Sequence, residues 1–168
     1  CAPEALVGTV VAAPGPRTAS CDSFEIQIRG KSSHAGFPSN GIDVVSTGAL
    51  VVSALNQLLP WTVAPLDSAT LVISRMEAGK HQLYNVIPES MAIEGNIRSL
   101  SNQTARILKQ RIKEVTRHIC AAKNCTCEIS WIPGYPAMVN HEAVTKRVEQ
   151  ALVQAGIHAV TGDPVMAA

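Results

Sequence analysis

Across one short loop of this chain the spacing of apolar residues changes from that of a strand to that of a helix. From Asp22 to Gly30, apolar Phe24, Ile26 and Ile28 alternate with polar Glu25, Gln27 and Arg29, the period of a strand with one wet and one buried face. From Gly41 to Leu59 apolar residues recur at steps of three and four, among them Val44, Val45, Gly48, Val51, Val52, Leu55 and Leu58. That is the stripe of an amphipathic helix, with Pro60 as its expected terminator. The loop between them, Gly30-Lys31-Ser32-Ser33-His34-Ala35-Gly36-Phe37-Pro38, holds His34 where the backbone can bend sharply. Functional side chains concentrate in such loops, although a single loop histidine is often only solvated.

The remaining patterns extend this beginning into a complete unit. Strands are expected over 69–77, 90–99 and 125–132, and a helix over 105–122, with Ile107, Leu108, Ile112, Val115, Ile119 and Cys120 on one stripe and Ser101-Asn102-Gln103 as capping material. The order strand, helix, strand, strand, helix, strand predicts an α+β fold. It is the ferredoxin-like βαββαβ two-layer sandwich, a four-stranded antiparallel sheet with two helices on one face. Right-handed crossovers give strand order 4-1-3-2, with the second and fourth strands at the edges. The long second strand is an exposed edge that invites pairing with another chain.

Residues outside this unit read as parts of something else. A strand over 6–11 precedes it and a helix over 142–155 follows, with Ala143, Val144, Val148, Ala151 and Leu152 expected inward and Gly156 as its stop. The chain begins within a strand pattern and stops after an apolar stretch, so both ends are expected to be cut from a longer protein. The expected division is a flank over 1–18 and a return over 135–168, both belonging to a neighbouring domain, around a central domain over 19–134.

Composition narrows the partners. With 14 basic and 13 acidic residues the formal charge is +1, and there is no basic run or aromatic platform, which argues against nucleic acid. No apolar run approaches the ~20 residues that span a bilayer, so no membrane partner is expected. The five cysteines, Cys1, Cys21, Cys120, Cys125 and Cys127, form no regular disulfide framework, which fits reduced thiols in the cytoplasm. Cys120, Cys125 and Cys127 suggest a metal module as one alternative, without the paired spacing of a zinc site.

Three polar residues fall at ends of predicted elements: His34 after the first strand, Asn85 before the third, and Arg98 near the end of the third. Each has an ordinary reading, Asn85 as a turn former and Arg98 as a side chain snorkelling from a strand. Their surroundings are more specific. The run Phe24 to Pro38, then Gly41-Ile42-Asp43, Asn85-Val86-Ile87-Pro88 and Gly95-Asn96-Ile97-Arg98-Ser99 resemble the lid, or dimerisation, domain of the zinc aminoacylase and hippurate hydrolase family of metallo-amidohydrolases. Tyr135-Pro136-Ala137-Met138-Val139-Asn140 resembles the return into that family's catalytic domain.

The resemblance implies that this chain is the lid of a homodimeric dinuclear-metal hydrolase of N-acyl amino acids or related small amides. It also implies a separate catalytic domain of the same polypeptide, holding zinc or another divalent metal. His34 matches the lid histidine that reaches the partner's active site and holds the developing oxyanion; Asn85 and Arg98 match residues that grip the substrate. No metal quartet is expected here, with His81, His118, His141 and His158 read as structural or solvated, and the fragment alone is expected to be inactive. Lys80-His81-Gln82-Leu83-Tyr84 departs from the shorter glycine-rich turn usual in the amidohydrolase branch, a change that bears on substrate choice. The alternative from another class is a free-standing ferredoxin-like small-molecule-binding or regulatory module.

Overall fold

The computed structural model of the protein describes residues 7–80 and 82–166. In chain order these form β1 (Thr9–Val11), β2 (Gly15–Thr18), β3 (Ser20–Arg29), β4 (Ser33–His34), α1 (Val44–Asn56), α2 (Leu59–Thr62), β5 (Ala69–Ala78), β6 (Val86–Ile87) and β7 (Ser90–Ser99). They continue with α3 (Asn102–Ala122), β8 (Thr126–Pro133), β9 (Met138–Asn140), α4 (Glu142–Gln154) and β10 (His158–Val160).

Four strands make one antiparallel sheet in the order β5-β7-β3-β8, the expected order with β5 and β8 at the edges. The strict alternation of β3 places Phe24, Ile26 and Ile28 on the buried face, and β7 matches it with Met91, Ile93 and Ile97. Against this face pack Val44, Val51 and Leu55 of α1 and Leu108 and Ile112 of α3, completing one core. The opposite face is polar: Gln27 bonds Glu25, and Arg75 pairs with both Glu94 and Glu77. A bulge between Ile73 and Arg75 interrupts the register of β5 along this edge.

Caps account for most differences from the predicted helix bounds. The Asp43 carboxylate accepts from the Val45 and Ser46 N–H groups at 2.8 and 3.2 Å, so α1 starts just after it. Rather than terminating α1, Pro60 sits in the first turn of α2, where its missing N–H costs nothing. Ser101 caps α3 by accepting from the Thr104 N–H at 3.2 Å, so this helix begins earlier than its apolar stripe. The buried stripe is Thr104, Leu108, Ile112, Thr116 and Cys120, whereas Ile107 is 43% exposed. Small polar side chains hid the true inward face from a reading based on apolar residues alone.

The two flanks pair with each other. β1 runs parallel to β10, and β2 pairs antiparallel with β9. α4 ends as predicted, with the Gly156 and Ile157 N–H groups bonding the Val153 and Leu152 carbonyls at 3.1 and 2.9 Å. Its expected inward face is a correction: Val144 and Val148 are 56% and 44% exposed, and Thr145 is its buried residue. The stripe has no covering surface among the described residues.

Candidate functional site

The loop after β3 folds back so that β4 pairs with β6, with Ser33 opposite Ile87 and His34 opposite Val86. This two-stranded ribbon, missed by a sequence reading because two residues carry no period, brings His34 beside Asn85. The Asn85 carbonyl accepts from the Ala35 N–H at 2.8 Å, fixing one backbone to the other. Side by side, the Asn85 amide lies 3.4 Å from His34 Nε2.

Local chemistry sets the state of the imidazole. The Gly36 N–H donates to His34 Nδ1 at 3.0 Å, so in the neutral ring Nδ1 is an acceptor and the proton lies on Nε2. A Cβ at position 36 would stand 3.1 Å from Nδ1, so glycine permits this close approach. Ser33 Oγ donates to the Phe37 carbonyl at 2.8 Å and closes the turn. The exposed Phe37 ring lies 6.1 Å from the imidazole, centroid to centroid. Gly30 is needed for the same loop, since a Cβ there would fall 2.3 Å from the Ile42 carbonyl, which accepts from the Lys31 N–H at 3.2 Å. The result is an exposed N–H donor on a braced support.

Arg98 does not join this pair. It is opposite Cys21 and Thr70, whereas the ribbon adjoins the sheet end at which Arg29 faces Ser90. Along β7 that is about 26 Å at ~3.3 Å per residue. The half-buried Arg98 donates to the Met166 carbonyl at 3.1 Å, which places it next to the paired flanks. Sequence reading placed both groups at strand ends without separating the two ends of the sheet.

The other candidates fall elsewhere. His118, His141 and His158 are exposed and separate, and His81 lies outside the described residues. Among the described residues no three or more His, Cys, Asp or Glu side chains are placed to hold a metal ion. Cys120, Cys125 and Cys127 pack into or against the core. Cys125 Sγ lies 3.4 Å from Thr47 Oγ1, and burial, together with the neighbouring thiols of Cys127 and Cys125, pushes the Cys120 thiol up to about 12. A thiol held neutral in this way is a poor nucleophile and a poor ligand. No described helix is long and apolar enough to cross a membrane.

Comparison with known proteins agrees with the fold. The family model described as the peptidase dimerisation domain matches residues 20–124. An N-acetyl-L-cysteine deacetylase of Bacillus subtilis is 34% identical over 162 residues, covering 96% of this chain and 38% of that protein. An N-acetyldiaminopimelate deacetylase of Bacillus cytotoxicus is 34% identical over 145 residues, covering 86% of this chain and 38% of the relative. The crystal structure of a dinuclear metal binding peptidase of the M20 family from Bacillus subtilis superposes with TM-score 0.77 at 26% identity, covering 98% of this chain and 40% of that one. The chain thus spans about two fifths of the relatives it matches. With four strands and two helices in the expected order, and the family segment running from the first residue of β3 to just beyond α3, the chain belongs to the peptidase dimerisation domain family, the dimerisation domains of M20 metallo-amidohydrolases.

Proposed function

We propose that this chain is the lid of a metal-dependent amidohydrolase that removes a short acyl group from N-acyl amino acids, and that His34 and Asn85 are its contribution to the reacting carbonyl. The observation that carries the reading is the braced imidazole: with Nδ1 taken by the Gly36 N–H, Nε2 is the ring nitrogen left to face a ligand, on an exposed ribbon beside the Asn85 amide at 3.4 Å. A donor fixed in advance stabilises negative charge on an acyl oxygen more in the transition state than in the ground state. The relatives are named as deacetylases of N-acetylcysteine and N-acetyldiaminopimelate, which supports an acetyl-sized acyl group.

On this reading zinc or another divalent metal supplies the activated water, held by residues outside this chain. The flanks over 1–18 and 135–168 belong to the catalytic domain, as their mutual pairing and the uncovered stripe of α4 suggest, and 19–134 is the lid. Arg98, on the flank side of the sheet, binds the substrate carboxylate through its planar fork. Because His34 and Arg98 occupy opposite ends of one lid, we assign them to different active sites of a homodimer. The four described cysteines are free, consistent with a cytoplasmic enzyme.

The test is His34→Ala in the full-length enzyme. The expected result is a fall in kcat of about a hundredfold to a thousandfold with KM little changed; an unchanged kcat would remove His34 from the reaction.

A further inference from the structure

We infer that Cys120 and Cys127 form a peroxide-responsive dithiol, a modification site at which oxidation joins the end of α3 to the edge strand β8 through a reversible disulfide. The site lies outside the amidohydrolase reading and does not depend on it. Cys120 is the last inward residue of the stripe Thr104, Leu108, Ile112, Thr116 and Cys120, and is 1% exposed. Cys127 stands directly opposite Ile28 in the sheet, and residues directly opposite share a face. Ile28 is fully buried beneath the helices, so Cys127 points into the same layer and meets Cys120 there, thiol beside thiol.

The turn between the two cysteines keeps them close. Asn124 takes a left-handed φ of 57°, and the Cys125 N–H then reaches back to the Cys120 carbonyl at 2.9 Å, the closing bond of a Schellman motif. β8 therefore starts beneath the last turn of α3. The intervening Cys125 is engaged at the start of α1, with Sγ 3.4 Å from Thr47 Oγ1 and 3.9 Å from the Asp43 carbonyl. Cys125 and Cys127 are two apart on an extended segment, so their Cα atoms are about 6.6 Å apart, near the upper limit for a disulfide. Cys120 and Cys127 are the pair that remains.

Exposure assigns the order of the steps. β8 is an edge of the sheet and Cys127 is only half-buried, so hydrogen peroxide reaches its sulfur first. Oxygen transfer to Cys127 leaves a sulfenic acid and releases one water; the Cys120 sulfur then displaces the hydroxyl, which leaves with the Cys120 proton as a second water. The two electrons given up by the sulfurs reduce the peroxide. Burial keeps Cys120 protonated and so out of the first step, but against a sulfenic acid in contact the displacement is intramolecular and a small thiolate fraction suffices. A small thiol such as glutathione reverses the bond by two exchanges. The pair also lies under the His34 loop, because Ile28 before the loop faces Cys127 and Asp43 after it adjoins Cys125. Oxidation tightens both stems of that loop.

The test treats the folded full-length protein with hydrogen peroxide, alkylates the remaining thiols in denaturant and maps tryptic peptides by mass spectrometry. Cleavage after Arg117 and Lys123 separates Cys120 from Cys125 and Cys127. The expected product is therefore a cross-linked pair of peptides lighter by two hydrogens, with fragmentation placing the link at Cys127 and Cys125 alkylated. Dithiothreitol should restore both thiols, and Cys127→Ser and Cys120→Ala should each abolish the cross-link. In the oxidised protein, hydrogen exchange at the Lys31 and Ile42 N–H groups, which bond across the loop stems at 3.2 and 2.9 Å, should slow about tenfold. Cys127→Ser protein treated in the same way should show no such slowing. Absence of the cross-link, with Cys127 either unreacted or carried on to the sulfinic acid, or a link through Cys125, would overturn the dithiol. A cross-link with unchanged exchange would overturn its coupling to the His34 loop. Each of these outcomes leaves the amidohydrolase reading in place.

Discussion

At the scale of single residues, the site depends on small backbone decisions around His34. Gly36 presents its N–H to Nδ1, and Asn85 is held alongside by a main-chain bond to Ala35, so neither polar group needs a large supporting network. Arg98 is a different case, since its guanidinium is already partly used by the Met166 carbonyl and has further donors to offer. Arg98→Ala is expected to raise KM at least tenfold or so for a substrate bearing the α-carboxylate, with kcat changed less; equal effects on an amide lacking that carboxylate would reject the assignment. Asp43 illustrates a purely structural residue in the same neighbourhood. The Ser46 hydroxyl, then the Ser46 and Val45 N–H groups, hold its carboxylate below the ordinary value against the opposing effect of burial. A folded-state pKa below the unfolded one adds stability that is full above about pH 4 and is lost as pH falls through the folded value. Asp43→Ala should therefore cost about 1 kcal/mol at neutral pH and much less near the acid limit of the cap's titration, as urea denaturation at the two pH values would show.

Among elements, the helices were easier to find than to orient. Sequence spacing places Ile107 and Leu108 together on the inward stripe of α3, but these neighbours lie on different faces: Leu108 is fully buried and Ile107 is not. Leu108→Ala should cost about 3 kcal/mol, whereas Ile107→Ala should stay within about 0.5 kcal/mol; comparable losses in denaturant midpoints would contradict the packing. The stripe was obscured because Thr104 and Thr116 are inside, positions that hydropathy alone assigns to solvent. Strand β3 carries no such ambiguity, because its alternation is unbroken over ten residues and a shift of one would bury Glu25 and Gln27. The β4–β6 ribbon is the opposite extreme, two residues a side, and no local pattern marks so short a pairing.

For the whole molecule, the separation of His34 from Arg98 makes the oligomer part of the mechanism proposed above. One lid cannot bring both groups to one substrate if they lie about 26 Å apart along β7, so each proposed site takes His34 from one chain and Arg98 from the other. Mixing full-length His34→Ala and Arg98→Ala enzymes under exchange conditions should then regain activity, because each hybrid dimer has one site with both residues intact. Recovery of up to about half the wild-type rate per hybrid dimer is expected; no recovery, with hybrids demonstrated by mass spectrometry, would place both residues in one chain's site. In the proposed dimer the long β5 edge would pair between lids, and a strict monomer by light scattering at high concentration would argue against the arrangement.

The amino-acid sequence by itself determined the strand and helix order, the sheet topology and the family, because period and chirality act locally and leave few ways to cover one apolar sheet face. It also singled out His34, Asn85 and Arg98. Only the tertiary structure decided which of them meet, since adjacency there follows from a two-residue ribbon and from the direction of β7, neither of which leaves a repeating mark in sequence. A cavity near the ribbon belongs to the same class of facts: its walls come from Ser32 ahead of β4, Val45 of α1, the loop after β5, Val86 of β6 and the start of β7, segments joined in space by packing against one sheet end rather than by proximity in the chain.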